Sequence, residues 1–523
     1  MDDKKATELL VRIESEFDVN SVVCDTVHVW PLVRAALWKR LKYPGVDVQG
    51  IAGGRHSVTL FAQERARDAY LLYGSIRGIL EAFLHRRLLR RRMDDLKARA
   101  PVDVLFYALG MHYQKLHDDV VVNAKLDPIH ELAREKGKCL KLELAHSVPR
   151  GRKAGGGSRY IESFSVPDCA RFLRQGYGKQ LLGGHAGMEI AHFDALQDVV
   201  TSTTGIELVE HGFVHQVLRM RRYRPFFDEL LSILSPEVVF LVCFYDIRSM
   251  ALIWACKIAG VRTVDVQHGK QGRNHGMFSH WSSLPVGGYD VLPDMFWVWG
   301  EETKRNLLRA RRDNTLHYHR PVVGGNVWLS RWIHGGAYDV FMKEYESYID
   351  WISKFRRRVL VSLQPIEEPL PNNLLEAVKN SPEEWIWLMR LHPHQRKDIT
   401  LFQSWLERTG RSNYEIEACT EIQLYYLLKR IDVHVTCFSS VCYEALCFRK
   451  PTVFIAEIAR VLYEDYIARG LFRFALSPEH ILEQIEKAAD ENLPREPEPY
   501  IESTPERARE ALASVLSEGY DTG

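Results

Sequence analysis

Apolar residues change period along this chain, and the changes divide it. Residues 8–17 and 28–41 carry them at helical spacing. In the second stretch Trp30, Pro31, Leu32, Leu37 and Trp38 form a stripe opposite Arg34, Lys39 and Arg40. A glycine-containing break follows at 45–55, and residues 68–99 predict one long helix that ends in a dense basic cluster. Short, nearly continuous apolar runs rich in β-formers then begin. Residues 102–108, 139–144, 238–244, 262–266, 295–299 and 321–323 each predict a buried strand. Helical stretches at 129–136, 165–235, 249–259 and 301–312 separate them, with polar loops at 109–128 and 150–158. After a connecting helix at 338–354, strands at 358–363, 384–391, 433–437 and 451–456 alternate with helices that include 424–429 and 440–447. This rhythm predicts an α/β protein with two Rossmann-like domains of parallel sheet. The expected divisions are a helical N-terminal extension over 1–100, a first Rossmann-like domain over 101–335, a second over 336–495, and a tail with a closing helix over 496–523.

Length and composition narrow the class without naming a reaction. A chain of 523 residues has room for about two to four domains. At 46% hydrophobic and 26% charged residues, it can bury large cores. A net charge of +1 gives no bulk electrostatic case for nucleic acid. The nine cysteines show no zinc spacing; Cys437, Cys442 and Cys447 recur every five residues and read as buried reduced thiols, which suits a cytoplasmic protein. Met1-Asp2-Asp3-Lys4-Lys5 leads into an amphipathic helix, so no secretory signal is expected, and no apolar run is long enough to span a membrane. The basic face of residues 84–99 could lie on the anionic inner membrane as a peripheral contact; a solvated face is the plainer reading.

Candidate chemistry gathers at strand ends. In open α/β sheets, ligands bind beyond the carboxyl ends of the strands. Arg390-Leu391-His392-Pro393 closes one predicted strand, and Cys437-Phe438-Ser439-Ser440 closes another and opens a helix that carries Glu444. A helix opening on two serines offers N–H groups and hydroxyls to a phosphate, and Glu444 could accept from ribose hydroxyls. An ordinary N-cap is the competing reading of the serines. In the first domain Tyr245-Asp246 and Gln267-His268-Gly269 stand at strand ends, and the loop after them contains Arg273, His275 and His280. Asp246 and His268 are the candidate general bases, with a helix cap and a loop histidine as their alternatives. No Asp-x-Asp motif is evident; Asp94-Asp95 and Asp118-Asp119 are adjacent pairs, so no metal or other cofactor is expected.

The order of these motifs resembles bacterial cell-surface transferases that share a His-Pro and a Ser-Ser motif. They comprise polysialyltransferases, capsule Kdo transferases and CDP-glycerol polymerases of teichoic acid. The matching stretches are Arg390–Pro393 and Ser439–Glu444. Gln267-His268-Gly269, Trp299-Gly300, Gly324-Gly325-Asn326 and the run Val29-Trp30-Pro31-Leu32-Val33-Arg34 also look like capsule-type members. The resemblance implies a GT-B fold, two Rossmann-like domains facing across a cleft. It also implies metal-independent transfer from a nucleotide-sugar donor, with a CMP-sugar such as CMP-Kdo favoured, to a polysaccharide or lipid-linked acceptor. His392 would contact the nucleotide phosphate and assist its departure, Ser439 and Ser440 would bind phosphate oxygens, and Glu444 would hold the ribose. The family's acidic general-base motif is not evident here. Arg273 and His275 would meet an anionic sugar or acceptor, or remain solvated loop residues. CDP-glycerol transfer, UDP-sugar 2-epimerisation and a non-catalytic role in polysaccharide assembly are the alternatives.

Overall fold

The computed structural model describes residues 3–46, 48–51, 91–110, 112–117, 120–145, 158–161, 163–167, 188–311, 315–335, 338–490, 493 and 499–517. Most of the predicted helix 68–99, the loop residues 150–157, Gly183–Gly187 and Asp118-Asp119 lie outside them. The chain divides into two compact units, Met1–Gln114 with Val122–Gly324 and Glu506–Gly523, and Lys115–Val121 with Gly325–Pro505. Each is an α/β unit built on a parallel sheet, as the alternation of strand and helix predicts.

The sheet of the first unit consists of β1 (Val104–Ala108), β2 (Cys139–Ala145), β3 (Phe164–Pro167), β4 (Val238–Leu241), β5 (Arg262–Val266), β6 (Met295–Val298) and β7 (Arg320–Val323). The spatial order is β7-β6-β5-β4-β1-β2-β3, with every neighbouring pair parallel. The chain runs outward from β1 to β3, then restarts beside β1 at β4 and runs the other way. The strand order therefore reverses between β1 and β4. All residues of β1, β4, β5 and β6 are buried, because helices cover both faces of a parallel sheet; hence the unbroken apolar runs of β1, β4 and β6 in the sequence. β3 was hidden inside the predicted helical stretch 165–235, whose helices are Phe193–Thr204 and Glu210–Leu234. A four-residue edge strand carries too few positions to show a period.

The N-terminal helices α1 (Asp3–Glu16) and α2 (Trp30–Lys42) correct the expected separate extension. Ala6, Leu10, Ile13, Trp30, Val33 and Leu37 are buried in one core with residues of the first sheet. The closing helix Pro505–Ser517 also returns to this unit. Arg262 on β5 donates to the carbonyls of Val515 and Leu516, and Arg507 pairs with Glu301 at 3.0 Å. Among the described residues no helix is long and apolar enough to cross a membrane.

The second unit repeats the plan. Its strands are β8 (Arg357–Ser362), β9 (Trp385–Arg390), β10 (Tyr414–Glu415), β11 (Val433–Thr436), β12 (Thr452–Phe454) and β13 (Phe472–Phe474). They lie in the order β10-β9-β8-β11-β12-β13, all parallel. The order reverses between β8 and β11. His434, in the middle of β11, is fully buried and satisfied across three strands, Nδ1 with Thr452 Oγ1 and Nε2 with Ser362 Oγ, both at 3.0 Å. Burial lowers its pKa to about 3, so it is a neutral core group that ties the sheet together.

Candidate functional site

In the second unit the predicted motifs converge at the reversal point. The loop after β8 carries Gln364, and the loop after β11 carries Phe438 and Ser439. Gln364 Oε1 accepts from the Phe438 N–H at 2.8 Å and lies 3.3 Å from Thr436 Oγ1. The Ser439 N–H donates to Thr436 Oγ1 at 3.2 Å. The loop after β9 joins them: Gln395 Nε2 donates to the Gln364 carbonyl at 3.0 Å, and Gln395 Oε1 accepts from the His392 N–H at 3.2 Å. Three strand-end loops are thus cross-linked by two glutamines that sequence reasoning did not single out. Their one signal was position, each lying within a few residues of a predicted strand end.

His392 caps the short 3₁₀ turn Pro393–Asp398, its Nδ1 accepting from the His394 N–H at 3.3 Å. A ring nitrogen that accepts carries no proton, so the neutral imidazole holds its hydrogen on Nε2. Burial, followed by the neighbouring His394, lowers its pKa. With Nδ1 engaged in the turn, Nε2 is the ring nitrogen left at this strand end. Pro393 is exposed and fixes the first position of the turn.

The helix opening differs from the expectation of free N–H groups. The helix Val441–Cys447 is seven residues long. Ser439 Oγ accepts from the Val441 N–H at 3.3 Å, and the Cys442 and Tyr443 N–H groups donate to the carbonyls of Ser439 and Ser440. The hydroxyls of the half-buried Ser439 and the exposed Ser440 remain to offer a ligand. Glu444 is half-buried and its Oε1 accepts from the Tyr425 hydroxyl at 3.1 Å. Arg390 faces inward, with Nη1 on the carbonyls of Cys419 and Ile422; burial lowers its pKa to about 10. Asn326 is buried and caps the turn Val327–Ser330, its Oδ1 accepting from the Leu329 N–H at 3.2 Å.

In the first unit a separate cluster stands over the reversal between β1 and β4. Cys243 Sγ lies 3.6 Å from His112 Nε2 and 3.6 Å from His268 Nε2. The Tyr245 hydroxyl lies 3.0 Å from His268 Nε2. His112 and Cys243 both adopt left-handed backbone, with φ of 63° and 65°. Neither is a glycine, and such strain gathers at functional sites. Asp265, fully buried on β5, holds the bend by accepting from the Phe244 N–H at 3.1 Å. Burial dominates the electrostatics: it lowers His112 to about 4 and His268 to about 3, and raises the Cys243 thiol to about 12. Among the described residues no three His, Cys, Asp or Glu side chains are placed to hold a metal ion. The cluster is a hydrogen-bonded set of neutral imidazoles, thiol and phenol. Nitrogen-15 NMR of the histidine side chains tests this directly: His268 and His112 are expected to stay neutral from pH 8 down to about 5. A titration of either near 6.5 would refute the assignment.

The other predicted residues of this unit are structural in their contacts. Asp246 caps the helix Ile247–Ala259 through the Arg248 N–H at 2.9 Å and pairs with the Arg248 guanidinium at 3.0 Å. Gln267 is buried and ties β5 to β6, Oε1 accepting from the Trp299 N–H at 2.7 Å and Nε2 donating to the Gly269 carbonyl at 2.9 Å. His275 packs on Trp38 and Phe278, and burial lowers it to about 4. Arg273 is exposed. His268 alone of these joins the cluster, and its partners Cys243 and His112 gave no motif in the sequence.

No protein-family model matches the sequence, and no curated protein matches it. Among solved structures the chain is similar to the UDP-GlcNAc 2-epimerase of Methanocaldococcus jannaschii, with 11% identity, 79% of this chain and 99% of that chain covered, and a TM-score of 0.48. It is similar to the UDP-GlcNAc 2-epimerase of Neisseria meningitidis, with 14% identity, 79% and 98% coverage, and a TM-score of 0.47. It is also similar to the wall teichoic acid polymerase TagF, with 10% identity, 85% and 97% coverage, and a TM-score of 0.44.

Proposed function

We propose that this chain is a glycosyltransferase that moves a sugar from a nucleotide-activated donor, a CMP-sugar such as CMP-Kdo being favoured, to a bacterial surface polysaccharide or lipid-linked acceptor. The observation that carries the reading is the cross-linked set at the β8/β11 reversal, where His392, Ser439 and Ser440 bring hydrogen-bond donors to the carboxyl edge of one parallel sheet. That is where such sheets bind nucleotides. In the transfer, the bond between the anomeric carbon and the nucleotide phosphate oxygen breaks, and the acceptor oxygen bonds to that carbon. Negative charge grows on the departing phosphate. The His392 Nε2–H and the serine hydroxyls are placed in this reading to stabilise it, as fixed dipoles do without reorganising. The acceptor's proton leaves with a base. Of the two candidates, Asp246 is committed to its helix cap and to Arg248, and His268 is a weak base because burial lowers it to about 3.

A thermal-shift titration with CMP, CDP, UMP, UDP, GDP and TDP tests the pocket. A ligand that binds only the folded state raises the melting temperature. The wild type is expected to respond selectively, to CMP above the rest, and the Ser439→Ala/Ser440→Ala variant to lose that response. Equal responses in the two proteins would remove the nucleotide from this site. Product analysis with the responding nucleotide's donor then separates sugar transfer from glycerol-phosphate transfer and from epimerisation.

A further inference from the structure

The helix Ile458–Leu462, which follows β12, turns its apolar residues outward. Ala459 is buried, while Ile458, Val461 and Leu462 are 51%, 80% and 45% exposed. Spacings of three and four residues put these three on one face of the helix. Single exposed apolar side chains are ordinary, but a contiguous set marks a surface that meets something.

The face is firmly seated. Tyr463, which closes the helix, is buried, with its ring stacked on Phe454 at 4.5 Å between centroids and its hydroxyl donating to the Phe438 carbonyl at 3.0 Å. Arg460 lies over the Phe474 ring at 4.4 Å. Asn373 Nδ2 donates to the carbonyls of Ile455 at 3.0 Å and Leu476 at 2.9 Å, which ties together the segments that leave β12 and β13. A fixed backbone thus holds three apolar side chains in water, and each gains from being covered.

The charges around the face select its cover. Glu457, Arg460, Glu464 and Asp465 are all exposed. Arg460 pairs with Glu457 at 3.5 Å, and two carboxylates follow just beyond Leu462. Three acids against one base do not suit an anionic lipid surface. They do suit a copy of the same face. A two-fold axis near Val461 lays two such helices antiparallel, brings their apolar residues together, and sets Arg460 of each copy toward Glu464 and Asp465 of the other. An isologous contact requires this kind of self-complementarity.

We propose that this face is a self-association surface whose occupant is a second copy of the chain, joined through Ile458, Val461 and Leu462. A contact of this size gives weak, reversible association, with a Kd on the order of 10 μM. The inference stands apart from the nucleotide reading, since none of these side chains is a proposed donor to phosphate.

Sedimentation velocity of the full chain from about 1 to 100 μM tests it. The wild type is expected to pass from monomer toward dimer over that range. Val461→Glu/Leu462→Glu should weaken association about tenfold or more, because it sets carboxylates against each other in the contact. Both side chains are exposed, so the urea midpoint of this variant should match that of wild type. Arg460→Glu alone and Glu464→Lys/Asp465→Lys alone should each weaken association severalfold by opposing like charges. An equimolar mixture of these two variants should recover it, since opposite charges then meet only between unlike copies. Ser439→Ala/Ser440→Ala should leave it unchanged. A wild type that stays monomeric at about 100 μM, wild-type association in Val461→Glu/Leu462→Glu, or a mixture that associates no better than its components would overturn the proposal. Phosphatidylcholine vesicles that bind a wild type found monomeric, and release Val461→Glu/Leu462→Glu, would assign the face to lipid in its place.

Discussion

Replacing His392 by alanine is expected to lower donor-dependent transfer by about 10²–10³-fold, the cost of losing one positioned donor to a developing oxyanion. The loss should fall mainly on kcat, because the charge it meets grows only in the transition state. The fold should survive. His392 is half-buried at a strand end, and its backbone N–H is held by Gln395 Oε1 at 3.2 Å whatever side chain it carries. His392→Gln supplies an amide N–H at similar reach and should recover part of the rate, which a purely structural role would not explain. The measurement is steady-state release of the nucleotide from the donor selected by thermal shift. A His392→Ala enzyme within threefold of wild type would exclude the residue from chemistry and leave it as the cap of its 3₁₀ turn.

Central strands were legible in the sequence because a parallel sheet covered on both faces demands nearly unbroken apolar runs, and β1, β4 and β9 have them. His392 and Ser439 were legible because they follow such runs directly. The helix cap at Asp246 was visible for the same reason, with Ser249 opening an apolar helix behind it. Other features depend on contacts that no local pattern encodes. An amphipathic stripe on α1 and α2 says that one face is buried, but not that it shares a core with the first sheet. Left-handed backbone at His112 and Cys243 leaves no mark in residue type, since neither is glycine. Nor does the sequence tell that Gln364 and Gln395 bridge loops separated by tens of residues. Nor does the serine pair announce that the Ser439 hydroxyl takes the Val441 N–H while backbone carbonyls take those of Cys442 and Tyr443.

The largest effect on stability is expected at Arg34, in the run Val29–Arg34. Its guanidinium is fully buried with Glu14, itself without exposed side-chain surface. It donates to the Gly276 carbonyl at 2.7 Å, to Ser279 at 2.9 Å and to His280 at 3.1 Å, and it stacks 4.5 Å from the Trp281 ring. Glu14 in turn accepts from Trp30 Nε1 and from the Ser282 N–H, both at 2.8 Å. Arg34→Ala removes the positive partner and leaves a buried carboxylate and three loop carbonyls uncompensated. Breaking such a pair from one side costs about 3–5 kcal/mol, a large share of the stability of an ordinary domain. Arg34→Lys should recover little. An ammonium on a flexible stem cannot present the fork that reaches Glu14 and the carbonyls on the other side together. Adding Glu14→Gln to Arg34→Ala should restore part of the loss, because the amide carries no stranded charge and keeps an acceptor for one of Trp30 and Ser282. Urea denaturation of the four proteins resolves these steps, and an Arg34→Ala midpoint equal to that of wild type would show that the network contributes nothing.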